Sequence, residues 1–153
     1  MLNPKEYSTT GNQEIDGVLN YMLQKANETL NQVDVQINIP EDLYFNNFNI
    51  CVILGNLVDN AVREASKSKE KLLTIKMQIK QEVLLIFIEN SYSGKILEKR
   101  NGLQTTQPEL AIHGIGLENV KKVVIANGGE IKIDYTSNRF CVQVLLYMSR
   151  IKN

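Results

Sequence analysis

An excess of charge of either sign is missing from this sequence. Seventeen Lys and Arg cancel seventeen Asp and Glu across 153 residues. No overall field therefore draws nucleic acid or an anionic membrane, and an anionic ligand has to be held by local geometry. Long apolar runs are missing too. No uninterrupted stretch approaches the roughly 18 residues of a membrane span, and the start, Met1-Leu-Asn-Pro-Lys-Glu-Tyr, lacks the apolar region of a signal peptide. Histidine occurs once and cysteine twice. Cys51 and Cys141 lie far apart, each in an apolar segment. That fits buried, reduced thiols in a cytosolic protein and leaves too few ligands for structural zinc.

What is present is ordinary for a globular chain: 43% apolar and 22% charged residues, in a length that suits one domain with a real core. Apolar positions Ile15, Val18, Leu19, Met22, Ala26, Leu30 and Val33 recur at intervals of three and four. They predict an amphipathic helix from Asn12, its N-cap, to about Val33. Val35, Ile37 and Ile39 alternate with polar residues up to Pro40, as a strand does. A second helix, apolar over much of its surface, is expected from about Phe48 to Ser66. Leu72–Lys80 and Val83–Glu89 read as an antiparallel pair turning near Gln81-Glu82. Residues 90–113 are poor in apolar positions, and a loop of that length in a compact domain is usually functional or disordered. A short helix, about Gly116–Asn127, stops at Gly128-Gly129. Two last strands, Glu130–Tyr135 and Phe140–Tyr147, flank a Ser137-Asn138 turn. The order predicts a two-layer α/β sandwich, a mixed sheet covered on one face by helices.

Three segments carry chemistry. In the second helix Asn56, Asn60 and Arg63 are spaced by four and three and share one face. Asparagine is a mediocre helix former, so this stripe on an otherwise apolar helix needs polar partners, although alone it fits an ordinary wet face equally well. In Ile112-His113-Gly114-Ile115-Gly116-Leu117, paired glycines lead straight into a helix. Such a start offers free N–H groups and close backbone approach to an anion, but a plain turn explains it as readily. Asn90-Ser91-Tyr92-Ser93-Gly94 marks the end of an apolar strand. A strand end is a rigid mount for a recognition side chain, and the same residues also serve simple turns.

Together the three segments resemble the GHKL ATPase superfamily of gyrase, heat-shock chaperones, histidine kinases and MutL. Asn56, Asn60, Ala61 and Arg63 match the histidine kinase N-box, Asn-x-x-x-Asn-Ala-x-Arg. His113–Leu117 match the Gly-x-Gly-Leu box that ends the ATP lid. Asn90 and Gly94 fall within Asp-x-Gly-x-Gly. The resemblance covers roughly Thr10 to Tyr147. Thr10-Gly11-Asn12, Ile15-Asp16, Leu54–Ala61 and Glu89-Asn90-Ser91 look especially like the subgroup that includes peptide-pheromone receptor kinases. Asn90 departs from the family aspartate, Tyr92 from the first glycine of its box, and Gln107 stands after Thr105-Thr106 where relatives often carry a lysine.

The resemblance implies a Bergerat ATP-binding fold, with residues 13–150 as the catalytic domain, a long ATP lid, and residues 1–12 as a connector from an upstream region. It implies Mg-ATP as ligand. Asn60 would bind Mg²⁺ through its amide oxygen, and Asn56 and Arg63 would lie on the phosphate side. Asn90 and Gly94 would line the base side, and His113, Gly114, Ile115, Gly116 and Leu117 would hold phosphate. It further implies a protein histidine kinase whose acceptor histidine sits on a separate dimerisation domain of the same protein, in a homodimer that signals to a response regulator. The chain would be the cytoplasmic part of a membrane-bound sensor, with no nucleic acid as partner. Where gyrase and MutL place a glutamate base for water, this chain has Asn56, which takes no proton near neutral pH. Transfer to histidine is therefore expected over hydrolysis. Two other classes stay open, a degenerate binding module without catalysis and an anti-sigma-type serine kinase. Mg-ATP binding tests the first, and an acid-stable product would identify the second.

Overall fold

Alternation with period two runs through the strands, broken only where β3 ends on buried Asn90-Ser91 and β4 on exposed Asp134-Tyr135, and it sorts their side chains between a dry and a wet face. The computed structural model describes residues 8–43, 45–93 and 115–147, with Ile115 by its backbone alone. The elements run α1 (Gln13–Thr29), β1 (Gln32–Asn38), α2 (Asn47–Lys67), β2 (Leu72–Lys80), β3 (Val83–Ser91), α3 (Ile115–Ala126), β4 (Glu130–Tyr135) and β5 (Arg139–Tyr147). The five strands form one mixed sheet in the order β1-β2-β3-β5-β4. β1 and β2 are parallel and every other pair is antiparallel.

Cross-strand register builds continuous apolar rows on one face. Val35, Ile75, Ile88, Val142 and Ile133 lie side by side across all five strands, as do Ile37, Met77, Ile86, Val144 and Ile131. The helices cover this face with Ile15, Leu19 and Leu23 of α1, Ile50, Ile53, Leu54 and Leu57 of α2, and Leu117, Val120 and Val124 of α3, all buried. The opposite face carries Asp34, Lys76, Gln78, Lys132 and Asp134, which stay exposed. The expected sandwich, covered on one face, is therefore the observed one.

Asn12 caps α1 by accepting from Ile15 N–H, and Asn46 caps α2 by accepting from Asn49 N–H. Contrary to the expectation of a helix to Val33, α1 stops at Thr29. Asn31 and Gln32 donate their N–H groups to the Lys71 carbonyl, and Val33 joins the sheet opposite Leu73. Gln81 and Glu82 both take positive φ, 52° and 62°, in a two-residue hairpin turn that matches the strand twist. α3 ends in a Schellman motif: Gly128 N–H donates to Ile125 C=O, and Gly129 N–H to Val124 C=O. A β-carbon at Gly129 would sit 2.5 Å from the Leu145 carbonyl, so only glycine lets the chain pass β5 there.

The segment before α1 is clasped onto it. The Asp16 carboxylate accepts from Ser8 Oγ (2.6 Å), Thr10 Oγ1 and N–H, and Gly11 N–H, while Asn20 exchanges two bonds with the Ser8 backbone. Burial alone would raise the Asp16 pKa, but these hydrogen bonds outweigh it and hold the carboxyl below its ordinary value.

Candidate functional site

β3 reads Leu84, Ile86, Ile88 and then Asn90 along its dry face, so an amide occupies the fourth apolar position. Asn90 pairs with Leu73 on one side and Phe140 on the other and is 3% exposed. β3 thus continues past the expected strand end and carries Asn90 and Ser91 inside the sheet. Asn90 Nδ2 donates to the Ser91 carbonyl at 2.9 Å. A flipped amide would set two oxygens against each other, so this bond aims the Asn90 carbonyl away from Ser91. Ser91 is itself fixed. Its hydroxyl lies 2.7 Å from Ser68 Oγ and accepts from Leu72 N–H at 2.8 Å, and Ser68 Oγ in turn donates to Ala65 C=O at the end of α2.

α2 brings the polar stripe to the same region. Leu57, Asn60 and Ala61 of α2, Ile88 and Asn90 of β3, Leu117 of α3, and Phe140 and Val142 of β5 surround a void of about 10 Å³, room for about one water. Asn60 is 5% exposed, and its amide oxygen accepts from Arg63 Nη2. That same guanidinium nitrogen donates to Asp59 at 3.1 Å. Asn60 Nδ2 is buried without a hydrogen-bond partner, alone in this among the described residues. Asn56, half-buried, donates Nδ2 to the Val52 carbonyl one turn back at 2.8 Å, the local competition expected of asparagine within a helix.

Gly116, in the first turn of α3, closes the cluster. A β-carbon there would lie 3.0 Å from Asn60 Nδ2, 3.3 Å from its Oδ1 and 3.5 Å from Asn56 Oδ1. The fold therefore unites Asn56, Asn60 and Arg63 with Gly116, and joins them through the void to Leu117 and Asn90. Gly94, His113 and Gly114, the side chain of Ile115, and the expected lid with Gln107 lie outside the described residues.

Tyr92, the departure from the glycine pattern, is a tether. It is buried, its ring stands edge-on to Phe140 with centroids 5.9 Å apart, its N–H donates to Asn138 C=O, and its hydroxyl donates to Thr136 C=O. Burial, then the charge of Tyr135, pushes the phenol up to about 12. Beside it Arg139 holds Glu70 in a two-pronged ion pair at 2.8 and 3.0 Å. Both tie the β4–β5 turn beneath the Asn90 strand end.

Several of these residues escape the motif reading. Ser68 matches no motif position, Asp59 lies inside the Leu54–Ala61 match without a role of its own there, and the apolar walls Leu57, Ile88, Phe140 and Val142 carry no chemistry of their own. Helical and strand spacing was the available signal: Leu57 and Ala61 share the Asn60 face of α2, and Ile88 shares the Asn90 face of β3. The cysteines are free but only half-buried, contrary to the expectation of full burial. Desolvation raises both thiols, Cys141 to about 11, so neither is a ready thiolate. Among the described residues no three His, Cys, Asp or Glu side chains group to hold a metal, and no helix is long and apolar enough to cross a membrane.

Compared with known proteins, residues 45–147 match the GHKL domain family. No curated protein sequence matches significantly. Among solved structures, the Acinetobacter baumannii histidine kinase AdeS is similar with a TM-score of 0.64 and 19% identity, over 89% of this chain and 64% of that one. The chain thus spans less than two thirds of that relative. The catalytic domain of histidine kinase ThkA is similar with a TM-score of 0.63 and 19% identity, over 93% and 96% of the two chains. The histidine kinase domain of the Erythrobacter litoralis blue-light activated kinase gives 0.66 at 12% identity, over 99% and 67%. At these identities the structural likeness is one of fold.

Proposed function

This chain belongs to the GHKL domain family, and from that premise we propose that it is the catalytic domain of a bacterial two-component sensor histidine kinase, binding Mg-ATP and transferring the γ-phosphoryl group to a histidine on a separate dimerisation domain. The observation that carries this reading is the seating of Gly116 against the Asn60 carboxamide, whose nitrogen is buried and unpartnered. Buried polar groups are seldom left without a partner, and an orphan donor beside a glycine at a helix start is what an absent oxygen-rich ligand would satisfy.

The residues present suit that ligand. Asn60 supplies a neutral amide oxygen, the hard donor Mg²⁺ prefers, and the lack of an acidic cluster among the described residues fits a metal held mainly by phosphates and waters. Magnesium there would neutralise phosphate charge and orient the transferred group. Arg63 adds a cation next to Asn60, and Gly116, in the first turn of α3, where N–H groups lack partners within the helix, lies beside the same carboxamide. Asn90, with its amide locked on the Ser91 carbonyl, presents an acceptor suited to the amino group of adenine. Asn56 offers an amide that is bonded to its own helix where a general base for water would stand, which disfavours hydrolysis.

In this reading residues 1–12 connect to the phosphoacceptor domain of a homodimeric, membrane-bound sensor that signals to a response regulator from the cytoplasmic side. Purified chain incubated with labelled ATP and Mg²⁺ should bind nucleotide without labelling itself or turning it over. Adding a histidine-bearing dimerisation domain should give an acid-labile, base-stable phosphoprotein. Robust steady hydrolysis by the chain alone would overturn the kinase assignment.

A further inference from the structure

We infer that Arg63 covers the metal-binding oxygen of Asn60 in the nucleotide-free domain, and that Asp59 takes over Arg63 when that oxygen is needed. Asp59 is then a positioning residue for Mg-nucleotide binding. The inference rests on the reading of Asn60 given above.

The geometry leaves the Asn60 amide with one orientation. Its oxygen accepts from Arg63 Nη2, and turning it over would face two donors toward each other. In that orientation the nitrogen is buried without a partner, so among the described residues the contact with Arg63 sets the side chain. Arg63 therefore occupies the one metal-ligand atom that Asn60 owns. A divalent cation and a guanidinium on one oxygen would repel. Arg63 has somewhere to go. Its side chain is 52% exposed, and the Nη2 that bonds Asn60 already lies 3.1 Å from Asp59 Oδ2, one helical turn back. Releasing Asn60 keeps this pair and uncovers the oxygen. Without the Asp59 charge, Arg63 leaves Asn60 for water alone, and metal binding has to oppose a firmer Arg63–Asn60 contact.

The test is calorimetric ATP binding with Mg²⁺ and with excess EDTA, on the full chain and on D59N, D59E, R63Q and D59N/R63Q. D59N should shrink the gain in affinity that Mg²⁺ confers by about two- to fivefold, the range of an exposed ion pair, and leave affinity in EDTA unchanged. D59E should restore the gain. R63Q, which removes the competing cation, should weaken ATP in both conditions yet enlarge the Mg²⁺ gain, and adding D59N to it should change nothing further. An equal loss from D59N with and without Arg63 would mean that Asp59 acts on the metal by its own field and would overturn the inference. An unchanged gain in D59N overturns it as well. Failure of the unaltered chain to bind Mg-ATP would instead sink the reading of the site, and this inference with it.

Discussion

The backbone of Gly116 rests directly on the carboxamide of Asn60, with 3.0 Å between Asn60 Nδ2 and the place a β-carbon would take. Two segments more than fifty residues apart thus form one surface, and the contact is tight enough that an added methyl must push the amide aside. Alanine in a helix is favoured over glycine by up to ~1 kcal/mol, which offsets the crowding in the fold. Gly116→Ala should therefore melt within about 1 kcal/mol of the parent, yet lose about ten- to hundredfold in Mg-ATP affinity, as expected for one misplaced hydrogen bond to a charged group. Parallel thermal melts and calorimetry check this. Parent-like affinity would show that the contact is packing and nothing more.

Asn60→Ala removes a side chain whose nitrogen has no partner among the described residues and whose oxygen bonds a half-exposed arginine that retains Asp59. Deleting an unsatisfied donor relieves a cost rather than imposing one. Stability should change by less than about 1 kcal/mol, while affinity in Mg²⁺ falls to its value in EDTA. A collapsed melt with affinity preserved would make Asn60 a structural residue.

Asn90→Asp places a carboxylate where the Ser91 carbonyl now receives an N–H at 2.9 Å. The variant should lose ~1–3 kcal/mol of stability from the opposed oxygens. It should also widen the preference for ATP over inosine and guanosine triphosphates, because a carboxylate only accepts and the 6-oxo group of those bases does too. Competition binding reads the ratio and denaturant melts read the stability. An unaltered ratio in folded protein would show that residue 90 does not face the base.

Tyr92→Phe leaves the Thr136 carbonyl without its donor and should cost ~1 kcal/mol at neutral pH. The sign of its pH dependence follows from burial. The folded phenol ionises at about 12, above its ordinary value of 10.0. Its contribution is complete below the unfolded value and is lost as pH rises through the folded one. Denaturant melts of the two proteins should therefore converge between pH 10 and 12. A gap that stays constant to pH 12 would mean that the hydroxyl is solvated in the folded state.

The polar stripe Asn56, Asn60 and Arg63 and the strand pair at Leu72–Lys80 and Val83–Glu89 were legible because local spacing decides them: a period of 3.6 puts the stripe on one helix face, and a period of two makes each strand two-sided. The limits of α1 and β3 were not legible. Leu30 and Val33 continue the helical spacing of α1, but Lys71, forty residues on, accepts the N–H groups that start β1. Asn90 resembles a loop residue, yet it stays in β3 because Phe140 and Leu73 flank it across the ladder. Propensity gives way wherever a distant partner satisfies the backbone better.

The sequence by itself determined the chemistry that this protein can offer: neutral amides in place of a base and of a base-reading carboxylate, a single arginine on the stripe, and glycines at a helix start. It determined these because they are properties of side chains and of short-range geometry. Only the tertiary structure decided their states. It seated Gly116 on Asn60, put the Asn60 amide nitrogen where it has no partner among the described residues, and carried Asn90 into the dry face of β3 between Leu73 and Phe140. Each of these joins groups far apart in the chain, which meet only when α2 and α3 pack over the sheet face that carries the end of β3, whereas the Arg63–Asn60 and Arg63–Asp59 bonds span one helical turn and the Asn90–Ser91 bond joins neighbours.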